Sequence, residues 1–110
     1  MKRTFVSLGC LAALAALGNA AAADLDAGRK IADSQCAACH GKDGKTPIDP
    51  TYPMIAGQYA DYLAKALQDY KSGARKNAIM AGIAKPLSKR DIADLSAYFA
   101  SLPGPLTHKK

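Results

Sequence analysis

The sequence predicts a small all-α domain. Three stretches carry apolar residues at helical spacing, no stretch sustains the alternation of a strand, and the connections are long and rich in glycine and proline. The first helix is capped by Asp24 or Asp26 and places Gly28, Ile31, Ala32 and Gln35 on one face as it runs toward Cys36. The second covers about Gln58 to Ser72. There Leu63, Ala66, Leu67 and Tyr70 follow Tyr59 at offsets of four, seven, eight and eleven, and Gly73 supplies the stop. The third opens on Ser88 as N-cap with Asp91 three residues on as its capping-box partner. It then carries Ile92, Leu95, Phe99 and Leu102 on one side and ends at Pro103-Gly104-Pro105. The intervening segments, Gly41 to Ile55 and Arg75 to Leu87, read as loops punctuated by Gly41, Gly44, Pro47, Pro50, Pro53, Gly82 and Pro86. Loops of this length in so small a domain need something to pack on, and a flat apolar cofactor between them meets that need.

The 110 residues make one domain rather than two. Residues 1–23 read as a secretory signal peptide: Lys2 and Arg3 form the positive start, Thr4 to Leu17 the apolar run, and Ala21-Ala22-Ala23 the small-residue cleavage site. The run is shorter than the roughly 20 apolar residues that span a bilayer. Cys10 is an ordinary small residue of that leader, because Ser7 stands where a lipoprotein signal wants a branched apolar side chain. Cleavage near Ala23 leaves a domain over residues 24–110 with two cysteines, one phenylalanine and no tryptophan. A chain this short and this poor in aromatics needs a disulfide, a metal or a large cofactor to complete its core.

Once Lys2 and Arg3 are removed, 13 basic side chains face 9 acidic ones, all of them Asp. The excess is mild and scattered over Lys42, Lys45, Lys65, Lys71, Arg75, Lys76, Lys85, Lys89 and Arg90. Nothing resembles the dense basic cluster of a nucleic-acid groove. The basic residues form either a plain solvated surface or a docking face for an acidic partner, where charge steers encounter more than it fixes affinity.

Cys36-Ala37-Ala38-Cys39-His40 has the C-x-x-C-H pattern of covalent haem attachment. Two thiols three positions apart can each add to one vinyl group of the macrocycle, and the adjacent histidine is carried beneath the iron by the same turn. A redox dithiol usually sits in a βαβ setting, which is missing here. A zinc site would have to recruit Cys36, Cys39, His40 and the distant His108. Export also agrees with capped thiols, since free ones oxidise in that compartment.

The iron's second axial position decides between electron transfer and small-molecule chemistry. Met54, Met80, His108 or no residue at all are the candidates. Met80 is preferred, because Asn77 to Ile83 is an apolar segment far enough along the chain to return over the other haem face, and a thioether stabilises reduced iron. Met54 reads as a filler of core gaps. His108 reads as a solvated residue of the tail. With both axial positions filled, no site is open to oxygen or carbon monoxide, which argues for a carrier over a catalyst. His40 also needs an acceptor for its second ring nitrogen, and Pro53 offers a carbonyl, although a proline there is equally plain loop punctuation.

These residues resemble the class I c-type cytochromes, in particular the short bacterial type that forms each half of the diheme cytochrome c4 proteins. The resemblance runs from about Asp26 to Leu102. Its parts are Cys36 to Gly41 with Asp43-Gly44, Pro53 to Gln58, Tyr62-Leu63, Tyr70 to Arg75, Met80, Leu87-Ser88 and Asp91 to Ala100. It implies three main helices and long loops wrapped around one covalently attached haem, with first and last helices crossing where Gly28 meets Tyr98 or Phe99. It further implies Met80 as sixth ligand beside His40 and the Pro53 carbonyl as acceptor of the His40 proton. Diheme relatives carry two C-x-x-C-H motifs and this sequence one. Ala32 stands where many relatives place an aromatic at the crossing, which implies weaker packing there.

The function expected is a periplasmic single-electron carrier, not an enzyme. Its expected partners are redox proteins with acidic docking surfaces, membrane complexes among them, with no nucleic acid and no small-molecule substrate. Two alternatives are an electron-accepting subunit bound tightly to a dehydrogenase, and a ligand-binding haem sensor.

Overall fold

The computed structural model describes residues 3–4 and 22–107, so most of the predicted leader, and His108, lie outside the described residues. The chain forms α1 (Leu25–Ile31), a π turn (Ala32–Cys36), α2 (Ala37–His40), α3 (Ala60–Ser72), α4 (Ala78–Ala84) and α5 (Lys89–Ser101), with no strand among the described residues. No helix among them is long and apolar enough to cross a membrane.

Of the two predicted caps, Asp24 is the one used: its Oδ1 accepts from Ala27 N–H at 3.0 Å. Asp26 follows in the first turn, where its charge suits the positive end of the helix. From Leu25 to His40 the helix is continuous, but at the π turn the ladder widens and Ala37 N–H donates to the Ala32 carbonyl. The buried positions of this rod are Gly28, Ala32, Cys36 and His40, one every four residues. At 3.6 residues per turn a four-residue repeat drifts about 40° per step, or roughly 120° from Gly28 to His40. The wider π turn unwinds that drift and keeps all four on one face.

Gly28 is where α1 crosses α5. A Cβ there would lie 2.2 Å from the Asp94 carbonyl oxygen and 2.8 Å from Tyr98 Cβ, so the two backbones touch. Tyr98, not Phe99, is therefore the aromatic met at the crossing. The Phe99 ring turns instead toward Gly44 and the core. Beside the crossing, buried Asp94 accepts from Asp24 N–H at 2.9 Å and from Arg90 Nε at 3.1 Å. Ala32 is buried in the core with Leu63, Leu87, Ile92, Leu95 and Phe99.

The segment 41–55 is irregular, as predicted, but closed on itself. Asp43 Oδ1 accepts from the Lys45 and Thr46 amides, each at 2.9 Å, and the Gly44 carbonyl accepts from Ile55 and Ala56. These hydrogen bonds, Lys45's first, hold the Asp43 carboxyl below its ordinary value. α3 begins two residues later than predicted and stops at Gly73, whose φ of 87° is left-handed.

The predicted loop from Arg75 to Leu87 is corrected by α4. Asn77 caps this helix by accepting from Met80 N–H at 3.0 Å. Gly82 and Pro86 suggested a loop, yet Gly82 lies inside the helix facing open space and Pro86 falls beyond its end, where proline is tolerated. Seven residues cannot hold a helix alone, and α4 is held by packing on α3.

α5 opens as predicted, with a reciprocal capping box between Ser88 and Asp91. Replacing Ser88 by Ala removes that cap and is expected to cost about 1 kcal/mol. Thermal unfolding of the variant checks it, and an unchanged midpoint would mean that solvent replaces the cap.

Candidate functional site

The rod from α1 to α2 delivers Cys36, Cys39 and His40 to one cavity of about 390 Å³. Apolar side chains line most of it: Leu63 and Leu67 of α3, Ile79 and Ile83 of α4, and Leu95 and Phe99 of α5. This is within the range of about 300–1,000 Å³ typical of enclosed ligand sites. Pro53 and Met80 also line it, so all five predicted site residues, Cys36, Cys39, His40, Pro53 and Met80, border the same cavity. Met54 is absent from the lining and is 45 % exposed.

His40 is 7 % exposed, and its Nδ1 donates to the Pro53 carbonyl at 2.8 Å. A carbonyl only accepts, so Nδ1 carries a proton, and in the neutral imidazole Nε2 is then the nitrogen with the lone pair. Gly41, with φ of 85°, ends α2 directly after His40, and a Cβ there would run into the Thr46 carbonyl at 2.3 Å. Glycine thus turns the chain sharply enough for residue 53 to return over the imidazole.

Both cysteines are free thiols, Cys36 buried and Cys39 half-buried. Burial, and then the neighbouring Cys39, push the Cys36 thiol up to about 11. Burial in the apolar wall thus disfavours the thiolate.

Sequence reading missed two polar residues here. Tyr52 meets the His40 ring edge-on at 6.2 Å between centroids, and its hydroxyl is held above its ordinary value by Cys39. Its position next to Pro53 was the available signal. Ser96 lines the cavity from α5, is 2 % exposed, and its hydroxyl has no hydrogen-bond partner among the described residues. An orphaned buried hydroxyl at the wall of an apolar cavity fits a site shaped for a cofactor rather than for solvent. Among the described residues, no group of three or more His, Cys, Asp or Glu side chains is arranged to hold a bare metal ion.

The family model described as "Cytochrome c" matches residues 25–103. Cytochrome c4 of Pseudomonas aeruginosa is 44 % identical over 101 residues, covering 92 % of this chain and 49 % of its own length. A "thiosulfate dehydrogenase electron acceptor" of Thiomonas intermedia is 40 % identical over 103 residues, covering 91 % of this chain and 47 % of its own. The crystal structure of reduced cytochrome c4 from Pseudomonas stutzeri superposes with a TM-score of 0.65 at 34 % identity, over 74 % of this chain and 51 % of that one. The chain spans about half the length of these curated relatives. An all-helical frame, a C-x-x-C-H run on the wall of an apolar cavity and a match across nearly the whole described domain lead to one conclusion: the chain belongs to the cytochrome c family, corresponds to one half of a diheme cytochrome c4, and binds haem c covalently.

Proposed function

We propose that the protein is a periplasmic single-electron carrier whose haem is bonded through Cys36 and Cys39 and whose iron is ligated by His40 and Met80. The observation that carries this reading is the single cavity lined by both cysteines, by His40 with Nδ1 engaged by Pro53, and by Met80. Haem c, once bound, supplies reversible one-electron exchange at iron. The Pro53 carbonyl fixes the imidazole plane and leaves Nε2 as the ligating nitrogen. Asn77 orders the first turn of α4 and thereby the backbone at Met80. The leucine and isoleucine side chains keep water away, so little solvent has to reorganise when the charge changes.

The leader reading belongs to the same proposal: residues 1–23 direct export, and cleavage near Ala23 releases a domain over 24–110. Lys42, Lys45, Lys76 and Lys85 are all exposed and available to steer an acidic redox partner. The relative named as an electron acceptor of thiosulfate dehydrogenase favours a second reading, in which this chain docks stably on a dehydrogenase. A complex that survives size-exclusion chromatography would select that reading over a diffusing carrier.

Carbon monoxide tests the ligation. Added to the reduced protein at neutral pH, it is expected to leave the visible spectrum unchanged over minutes, because both axial positions are filled. Rapid binding would mean an open coordination site and would replace the carrier with a gas-binding haem protein.

A further inference from the structure

Asp94 is the only buried carboxylate among the described residues, at 4 % exposure. Its partners are unusual. One is the main-chain nitrogen of Asp24, seventy positions away, at 2.9 Å from Oδ1. The other is Arg90, whose Nε lies 3.1 Å from Oδ1 and 3.2 Å from Oδ2 while its Nη2 donates to the Ala22 carbonyl at 2.8 Å. The arginine side chain is half exposed, so a nearly buried negative charge relies on a partly solvated guanidinium and one neutral peptide N–H. A buried carboxylate is better matched by a second full charge.

The bond that could supply that charge lies at the same place. Asp24 follows Ala21-Ala22-Ala23, the small-residue run at the end of the leader. We infer that the leader is cut between Ala23 and Asp24, and that the α-ammonium so created pairs with Asp94, locking the start of α1 onto α5. The step is a hydrolysis. The Ala23–Asp24 amide breaks, and water supplies the oxygen and both hydrogens that leave Ala23 as a carboxylate and Asp24 as an ammonium.

Placement of the charge is specific to this bond. A cut one residue earlier leaves the Asp24 nitrogen inside a peptide and sets the ammonium in solvent. A cut one residue later removes the side chain that caps α1. An ammonium at the start of a helix is disfavoured by the helix dipole, and here Asp94, Asp26 and the Asp24 side chain oppose that repulsion. The contact is already made by the uncleaved chain, and it becomes an ion pair only after the leader has gone. The inference rests on the leader reading proposed above and goes beyond it by assigning the bond and the role of the new terminus.

The test uses the exported, haem-loaded protein. Intact mass is expected to place the terminus at Asp24. A second protein carries one serine inserted between Ala23 and Asp24, so that its ammonium precedes the clasp by a residue. Its thermal midpoint is expected to fall by about 4–8 °C, the shift that a single lost ion pair of moderate strength produces in a domain of this size. The same insertion in an Asp94→Asn background is expected to change nothing. Should that variant fail to accumulate, selective acetylation of the α-amino group is expected to destabilise the Asp24 form and leave the inserted form unaffected. An insertion without effect, or with an equal effect when Asp94 is gone, overturns the ion pair. A terminus found elsewhere by mass overturns the cleavage assignment instead, so the two failures are separable.

Discussion

Replacing Met80 by Ala is expected to abolish the long-wavelength sulfur-to-iron band of the oxidised protein and to lower its midpoint potential by a few tenths of a volt, within the roughly 0.8 V range that axial ligands control. A thioether is a soft donor that favours the reduced ion, and water or hydroxide in its place favours the oxidised one. Carbon monoxide should then bind the reduced variant readily. The structure supports Met80 over Met54 on simple grounds: Met80 is half-buried on the cavity wall, whereas Met54 is exposed outside it. Visible spectroscopy with a redox titration checks the expectation. A variant with its spectrum and potential intact would transfer the ligand role away from Met80.

Gly28→Ala should destabilise the fold, against what helix propensity alone dictates. Alanine inside a helix is favoured over glycine by about 1 kcal/mol. Against that gain stands a new methyl group 2.2 Å from the Asp94 carbonyl oxygen, a backbone atom that cannot swing aside. Overpacking of this kind costs about 1–3 kcal/mol and occasionally more. Separating α1 from α5 also pulls Asp24 away from Asp94. Because the methyl group meets rigid backbone, the cost is taken at the upper end of that range; less the propensity gain it is about 2 kcal/mol, a fall in the thermal midpoint of about 8–16 °C at roughly 4–8 °C per kcal/mol in a domain this size. Gly82→Ala is the control: it carries the same propensity gain at a helical position with nothing within 4 Å, so its midpoint should hold or rise. Equal behaviour of the two variants would show that the crossing is slack.

The features legible in the sequence were those carried by local chemistry. Ser88 and Asp91 announced the start of α5 because a capping box needs only its own four residues, and the C-x-x-C-H run announced a covalent cofactor for the same reason. α4 was hidden because its glycine and the proline after it mimic loop punctuation, while the contact with α3 that holds it is tertiary. The π turn left no local mark, being dictated by the need to bury residues spaced by four along a helix whose period is shorter. The hydrogen bond from His40 to Pro53 was expected from resemblance, and here it is a distance. Tyr52, Ser96 and Asp94 became visible only when separate segments were folded against one another.

The widened turn at Ala32–Cys36 restricts how this family member can vary in length. Losing one residue there would restore regular coiling to the helix and leave eleven residue steps from Gly28 to His40, a rotation of about 1,100°, within roughly 20° of three whole turns. The two sulfurs and the imidazole would then keep their face, whereas a second loss, with no wide turn left to absorb it, would swing them by roughly a further 100°. Insertions and deletions are tolerable in the 41–55 segment, whose closure depends on a few turn contacts, but between residues 28 and 40 only the one residue taken up by the wide turn is dispensable to the register.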